Sequence, residues 1–515
     1  MDFSNQMTPN MNNRFIILVG SYNNAKWAES NIDSILIQDY SNYKVIYFND
    51  ASTDETSDII TKKVNDLDRF TIVAMKSRKY KTWFFSNIEK FTEINDNDIL
   101  VFLDGDDLFY CENVLSYINE IYKSTNCWMT YGGMAVWEDV NKIIDPYPQN
   151  SELPAIITKN KSYRKDIWRT SHLKTMRGFL WNRIDKSDLM PDGKAMIGPD
   201  DLAIMFAALE MCPADKIYRV TEPVYLYNHT SQNQGSRAFD DNKKLGIDYE
   251  SIIRQRTPYD TLPIVCPTLA GGLGNQMFEV AMAASLAKDN NAILVINPNE
   301  HILPNQGRNI NNYTSNIFGH IVLDTNPTLQ AQITVKECFY KPIAFRPNVK
   351  LQGHFQSFKY FDHNKDYIQK LFLPPQQHTS DLTAVQVRRG DYINFPDHHP
   401  MLPTEYYHKA VKMAGGRNIA IFSDDIQWCK DNLHFEDIDN IQYIEKEEDW
   451  IELYKMSECK NIIISNSTFG WWAAYLKTSP GKIFAPAQWF GKVYIQQGFK
   501  IEDLLPPEWI QININ

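Results

Sequence analysis

GGLGNQMFEVAMAASLA, at 271–287, decides the fold of the second half of this 515-residue chain. Gly271, Gly272 and Gly274 make a turn whose backbone can approach a ligand closely, and Met277, Ala281, Ala284 and Leu286 then follow helical spacing. A short strand ahead of the turn and the run NAILVINP at 291–298 behind it complete a strand, turn, helix, strand unit. Further on, AVQVRR at 384–389, IAIFSDD at 419–425 and NIIISNS at 461–467 alternate with helical stretches, which predicts parallel sheets covered on both faces.

The first half repeats the theme. RFIILVGSY at 14–22, KVIYFND at 44–50 and TIVAM at 71–75 read as buried strands. Between them lie helical patterns at 24–38 and 53–67, the second opened by Thr53 or Asp54 as cap. A long helical stretch is expected before DILVFLDGDDLF at 98–109, where an apolar strand runs into a knot of carboxylates. In open α/β sheets ligands bind beyond the carboxyl ends of strands, which is where these acids fall. The less periodic segment from 130 to 230 reads as the acceptor side of this domain.

A chain of this length exceeds a single core, which stops growing near roughly 250–300 residues. The segments SQNQGSRAFDDNKK and RTPYDTLPIVCPT, polar and then proline-bearing, mark a connection and give domains of 1–257 and 258–515. A net charge of -11 without basic clusters argues against nucleic acid as partner. Runs such as FIILV and NIIIS are far below the ~20 apolar residues of a membrane span. The polar opening MDFSNQMTPNMNNR has no signal-like apolar core, so a cytoplasmic protein without an integral anchor is expected, of a bacterium or, for a viral gene, of the host cytoplasm. The seven cysteines stand singly, with no zinc-like spacing.

Three strings, GGLGNQMFEVAMAASLA, VRRGDY at 387–392 and SNSTFGWWAAYL at 465–476, together resemble the α-1,2-fucosyltransferases of glycosyltransferase family 11. In the other half LVGSYNN at 18–24, FNDASTDET at 48–56 and FLDGDD at 102–107 resemble a family 2 glycosyltransferase. The fold class these resemblances imply is α/β: an N-terminal GT-A Rossmann-like domain followed by a C-terminal GT-B type domain with two Rossmann-like halves.

The family 2 resemblance implies that Asp50 recognises the base of a UDP- or dTDP-sugar, that Asp104 and Asp106 meet ribose and phosphates, and that Asp106 and Asp107 hold Mn²⁺ or Mg²⁺. Hard oxygen ligands suit these ions, which act as Lewis acids on a departing diphosphate. In GPDDLAIMF at 198–206, Asp200 stands in the place of the family's Glu and Asp201 in that of its catalytic base. The same acids behind Pro199 also make a sound helix start. Asn49 replaces the first of two acids usual before the base site.

The family 11 resemblance implies a metal-free grip on GDP-fucose, with no cofactor. Arg388 is the expected catalytic contact to the pyrophosphate, Arg389 and Asp391 bind or orient the nucleotide, and Asn275, Gln276, Ser467 and Thr468 bind sugar, ribose or phosphate. Planar guanidinium forks match phosphate oxygens. Gln386 stands where the family usually has His and cannot titrate, which bears on donor choice, and Val280 replaces a usual Tyr. His354, in HFQSFKYF at 354–361, is either a nucleotide contact or structural, and Asp424 and Asp425 either contact substrate or cap a helix. Trp471 and Trp472 read as packing residues. Both transfers would invert the anomeric carbon, on a glycan acceptor. The competing readings are that one domain alone is active, that the second uses another deoxyhexose, or that the chain is a glycan-binding protein on a transferase scaffold.

Overall fold

A computed structural model describes residues 12–139, 142–144, 150–229, 247–302, 310–336, 339–374 and 377–513. They form two compact units that meet in sequence at Leu262 and Pro263, slightly beyond the expected 257/258 boundary. The segment before the junction is tied to the first unit: Leu262 N donates to Met211 O (2.9 Å) and Tyr259 N to Glu210 Oε2 (3.0 Å). The polar stretch 231–244, the leader through 11 and Cys338 lie outside the described residues.

The described strands of the first unit are β1 (Phe15–Ser21), β2 (Tyr43–Asn49), β3 (Phe70–Ala74), β4 (Ile99–Asp104), β5 (Leu108–Phe109), β6 (Met129–Asp139), β7 (Lys142–Ile144), β8 (Lys174–Arg177) and β9 (Ile217–Asn228). They form one sheet ordered β3-β2-β1-β4-β8-β6-β9-β5, with β7 paired to β6. The first four run parallel and β8 reverses direction against β4. Every residue of β1 is buried, as expected of a central parallel strand with both faces covered. Two local expectations change. The helix expected from 53 starts at Thr56, because Asp54 turns its carboxylate onto the Thr56 N–H (3.1 Å) and hydroxyl (2.5 Å) and holds the preceding turn out of the helix. In place of a long helix before β4 there is a short one, Tyr80–Ser86, and a single further turn at Ile88–Lys90.

Among its described residues the second unit holds two large parallel sheets and one of two strands. β10 (Ile264–Pro267), β12 (Ile293–Ile296), β14 (Val322–Leu323), β15 (Ala331–Thr334) and β16 (Val349–Gln352) stand in the order β14-β12-β10-β16-β15, and β11 (Leu269–Ala270) pairs with β13 (His301–Ile302). β17 (Ser380–Val387), β18 (Asn418–Ser423), β19 (Asn440–Tyr443), β20 (Cys459–Ile463), β21 (Ile483–Pro486) and β22 (Ile510–Ile512) make the other, ordered β19-β18-β17-β20-β21-β22. The two Rossmann-like halves of a GT-B arrangement are therefore present, beside the GT-A type sheet of the first unit.

Helix Leu273–Asp289 of one half packs on helix Thr468–Tyr475 of the other through an aromatic core. Phe278 lies 4.4 Å from Trp471 and 5.1 Å from Trp472 between ring centres, and Phe361 stacks on Trp472 at 5.5 Å. Both tryptophans are fully buried. The helices start in contact: a Cβ on Gly274 would sit 2.5 Å from the Thr468 carbonyl carbon and 2.6 Å from the Phe469 nitrogen, backbone atoms that cannot swing aside. Gly274→Ala is expected to destabilise this unit by about 1–3 kcal/mol, the usual cost of overpacking. A thermal melt in which the variant matches the parent would refute this.

Candidate active sites

In the first unit a cavity of about 240 Å³ opens at the carboxyl ends of β1, β2 and β4, lined by Gly20, Tyr22, Asp50, Arg78, Lys81, Asp104, Asp106 and Asp200 among others. Asp50 borders it as expected, but its carboxylate is spent on main chain: Oδ1 accepts from Lys79 N (2.5 Å) and Oδ2 from Tyr80 N (2.8 Å). Its structural effect is to fold the 78–81 loop over the cavity, with the Arg78 guanidinium 3.9 Å from the Tyr22 ring centre and 4.7 Å from that of Tyr80. Asn49 accepts from Ser52 N (3.2 Å) and Ser52 Oγ (2.6 Å), so it fixes the turn after β2 without a charge.

The acidic turn at the end of β4 divides into three environments. Asp104 accepts from Lys81 Nζ at 2.7 Å; burial opposes ionisation, and Lys81 with its neighbouring cations still holds the carboxyl below its ordinary range. Asp106 is pushed up to about 6 by burial and by the charge of Asp104. Asp107, expected as the second acid of the metal pair, also lines the cavity. Its Oδ2 accepts from Tyr225 Oη (2.5 Å) and its Oδ1 from Asn228 N (2.7 Å), so it braces the turn against β9 from beneath. Two acids crowded at a cavity wall fit a hard divalent cation that takes one or two carboxylates and completes its shell with substrate phosphates and water. Among the described residues no group of three or more His, Cys, Asp or Glu is arranged to hold a metal unaided.

Asp200 and Asp201 open helix Asp200–Met211 and point apart. Asp200 lines the cavity with Lys81 Nζ at 3.5 Å. Asp201 pairs with Lys174 Nζ and has His172 Nε2 at 3.7 Å; burial works against its charge, but Lys174 together with His172 and Lys81 outweighs it and keeps the carboxyl ionised. His172, flat against Tyr225 at 4.6 Å, is pushed down to about 4 by burial and then by Lys174, so its ring is neutral. Lys81, His172 and Lys174 were not anticipated from sequence; the cluster RKYK at 78–81 was the nearest signal, and 172 and 174 carry none.

In the second unit the three distant strings meet. The loop after β20 is the hub: Gln386 Oε1 accepts from Ser465 N (2.9 Å) and Ser465 Oγ (2.6 Å), Tyr392 Oη donates to Asn466 O (2.9 Å), and Gly274 abuts Thr468. Gln386 is thus a buried tie between β17 and β20. Ser467 precedes helix Thr468–Tyr475 and lies in the same loop. On the other side of the turn, Asn275 Oδ1 accepts from Gln356 Nε2 (3.0 Å), and Gln276 Nε2 donates back to Gly271 O (2.9 Å), where φ is +77°.

Arg388 is held by two carboxylates, Nη2 to Asp391 Oδ1 (2.6 Å) and Nη1 to Asp424 Oδ2 (2.8 Å). Arg389 donates its N–H to Asp424 Oδ1 (2.9 Å), pairs with Asp425 (3.2 Å) and lies over Trp428 at 3.8 Å. Asp425 also accepts from Trp428 N (3.1 Å), so it is a helix cap as well as an ion-pair partner. The two arginines differ in consequence: Arg389 is packed into the fold, whereas Arg388, about a third exposed, is aimed by acids and retains solvent access. Such an aimed fork is suited to a diphosphate.

Catalysts that move a sugar from a nucleotide need this equipment, and the chain is a glycosyltransferase. Its residues 16–179 match the Glycosyl transferase family 2 model and residues 350–513 the Glycosyl transferase family 11 model, so likenesses to two families lie in one chain. Relatives include an Alpha-1,2-colitosyltransferase of Escherichia coli, 28% identical over 49% of this chain and 99% of that protein. A Galactoside 2-alpha-L-fucosyltransferase of Caenorhabditis elegans is 24% identical over 50% of this chain and 81% of its own length. Among solved structures, S. aureus TarS 1-349 in complex with UDP-GlcNAc gives a TM-score of 0.34 at 18% identity, over 43% of this chain and 60% of that one. No described helix is long and apolar enough to cross a membrane.

Proposed function

We propose that the chain is a bifunctional glycosyltransferase that builds a glycan in two steps. The first unit transfers a sugar from a UDP- or dTDP-sugar with inversion; Asp106, with Asp104, would hold Mn²⁺ or Mg²⁺, and such an ion supplies Lewis-acid stabilisation of the departing diphosphate. Asp201, kept ionised, is the base for its acceptor hydroxyl, with Asp50 and the 78–81 loop enclosing the nucleotide. The second unit transfers L-fucose from GDP-fucose in α-1,2 linkage without a metal, Arg388 and Arg389 taking the diphosphate side and Asp391, Asn275, Gln276, Ser467 and Thr468 framing the nucleotide. The observation that carries this reading is the meeting of 271–276, 386–392 and 465–468 around one loop.

Covalent joining raises the effective concentration of the first product near the second site. Nucleic acid is not a partner in this reading, and the reactions take place in the cytoplasm. The colitosyltransferase relative favours a second possibility for the donor, GDP-colitose, which differs from GDP-fucose in lacking a sugar hydroxyl. Calorimetric titration of the intact protein separates these. Metal-free binding of GDP-fucose, beside UDP-sugar binding that requires Mn²⁺, is the expected pair of results. Preference for GDP-colitose would change the second donor, and metal-free binding of neither would end the reading of that unit.

A further inference from the structure

Glu279 is a carboxylate in an apolar helix, 1% exposed, and the site just described does not use it. Its Oε2 accepts from Ala270 N (2.8 Å), beside the glycine turn, and its Oε1 lies 3.0 Å from His354 Nδ1. The imidazole of His354 is 48% exposed, so the pair has a buried end and an open end. With Nδ1–H donated to Glu279, the lone pair of a neutral ring sits on Nε2, away from the carboxylate.

The backbone around His354 is bent to present it. Gly353, just after β16, has φ of +149°, and Phe355 takes φ of +48° with its ring buried. Left-handed backbone on a bulky residue costs of order 1–3 kcal/mol and persists where the surroundings enforce it. The next side chain, Gln356, bonds to Asn275, so His354 stands at the same strand ends as the glycine turn. Among the described residues Lys350 pairs with Glu300 and Lys359 with Asp503, and Glu279 is the charged group that acts on the ring.

We propose that His354, oriented by Glu279, is the general base of the second unit, a role that rests on the transferase reading of that unit. The acceptor O–H proton passes to Nε2, the oxygen forms the bond to the anomeric carbon, the bond from that carbon to the diphosphate oxygen breaks, and the electron pair leaves with the nucleoside diphosphate. The imidazolium formed is stabilised by the Glu279 carboxylate. The two residues are 75 positions apart and meet where the helix faces the turn after β16.

The test is the pH profile of transfer from GDP-fucose to p-nitrophenyl β-galactoside, with nucleotide release to water read where that galactoside is refused. Glu279 raises the basicity of His354 against the opposing effect of burial, while burial pushes the Glu279 carboxyl itself up to about 7; the two titrate as a pair, and activity of the parent should fall as pH drops through that shared acid limb. His354→Gln should lower the plateau by about 10²-fold or more and remove the acid limb. Glu279→Gln, which keeps a hydrogen-bonding partner, should move that limb to lower pH with a lower plateau. Calorimetric affinity for GDP-fucose should stay within a few-fold in both variants, and thermal melts check folding. An unchanged acid limb in both, or a loss confined to KM for the donor, would overturn the proposal and make His354 a nucleotide contact. If the parent protein binds no nucleotide sugar in this unit, the transferase reading itself fails and the base falls with it.

Discussion

Arg388→Ala is expected to abolish measurable metal-free binding of GDP-fucose and to lower the second transfer by about 10²–10³-fold, the range typical of removing one preorganised charge-stabilising donor. The size follows from what surrounds the side chain. Asp391 and Asp424 each hold one end of the guanidinium, at 2.6 and 2.8 Å, and without it they face the incoming diphosphate as two anions deprived of that charge. The loss therefore combines a missing attraction with a new repulsion. Arg388→Lys should recover little, because a point charge cannot meet both acids and a phosphate with a planar fork. Metal-dependent transfer by the first unit should be unaffected. Calorimetry and donor turnover on the same preparations check all three statements, and a decrease below about threefold would remove Arg388 from the donor site.

The second large effect belongs to the acidic turn of the first unit. Asp106→Asn is expected to cost the first transfer about 10³-fold in kcat, equal to roughly 4 kcal/mol, in keeping with the several kcal/mol that a Lewis-acid ion contributes. GDP-fucose binding should persist. Asp107→Asn separates this from a general disturbance: its carboxylate serves Tyr225 and the Asn228 N–H, so the expected outcome is a lower melting temperature, restored nucleotide binding on cooling, and retained response to Mn²⁺. If Asp107→Asn loses the Mn²⁺ response while Asp106→Asn keeps it, the assignment of the two acids is reversed.

The parts of the molecule that could be read in the chain are those written locally. Strand β1 is a run of apolar residues buried end to end, and the glycine turn, VRRGDY and SNST each carry their chemistry within a few positions. What escaped reading depends on partners far away in sequence. Asp107 stands in FLDGDD as an acid of the turn, and the hydroxyl it accepts from, Tyr225, is 118 positions on. Asp50 meets backbone N–H groups 29 and 30 positions away, and no pattern of side chains announces a backbone donor. Glu279 was hidden by its setting, a small-residue helix whose periodicity says core, and the bond of the Gln386 carbonyl to the loop after β20 has no local signal. His172 and Lys174 stand in an aperiodic segment, and only the antiparallel turn of β8 onto β4 brings them to the acids.

The seam between the two units fixes where the chain can be divided. Arg164 and Glu210 form a buried bidentate pair at 2.7 and 2.8 Å; the same arginine donates to Ile253 O at 2.6 Å, and the same glutamate accepts from Tyr259 N. The last dozen residues of the first unit are thus the lid on an interior ion pair. A first half expressed only to 257 would keep both charges and lose the Tyr259 N–H from Glu210, opening the pair to water. Ended at Leu262, the same half keeps the closure. A break in the gene placed a few codons early would thus lower the stability of the half-protein, a loss easily misread as proof that each catalyst needs the other to fold.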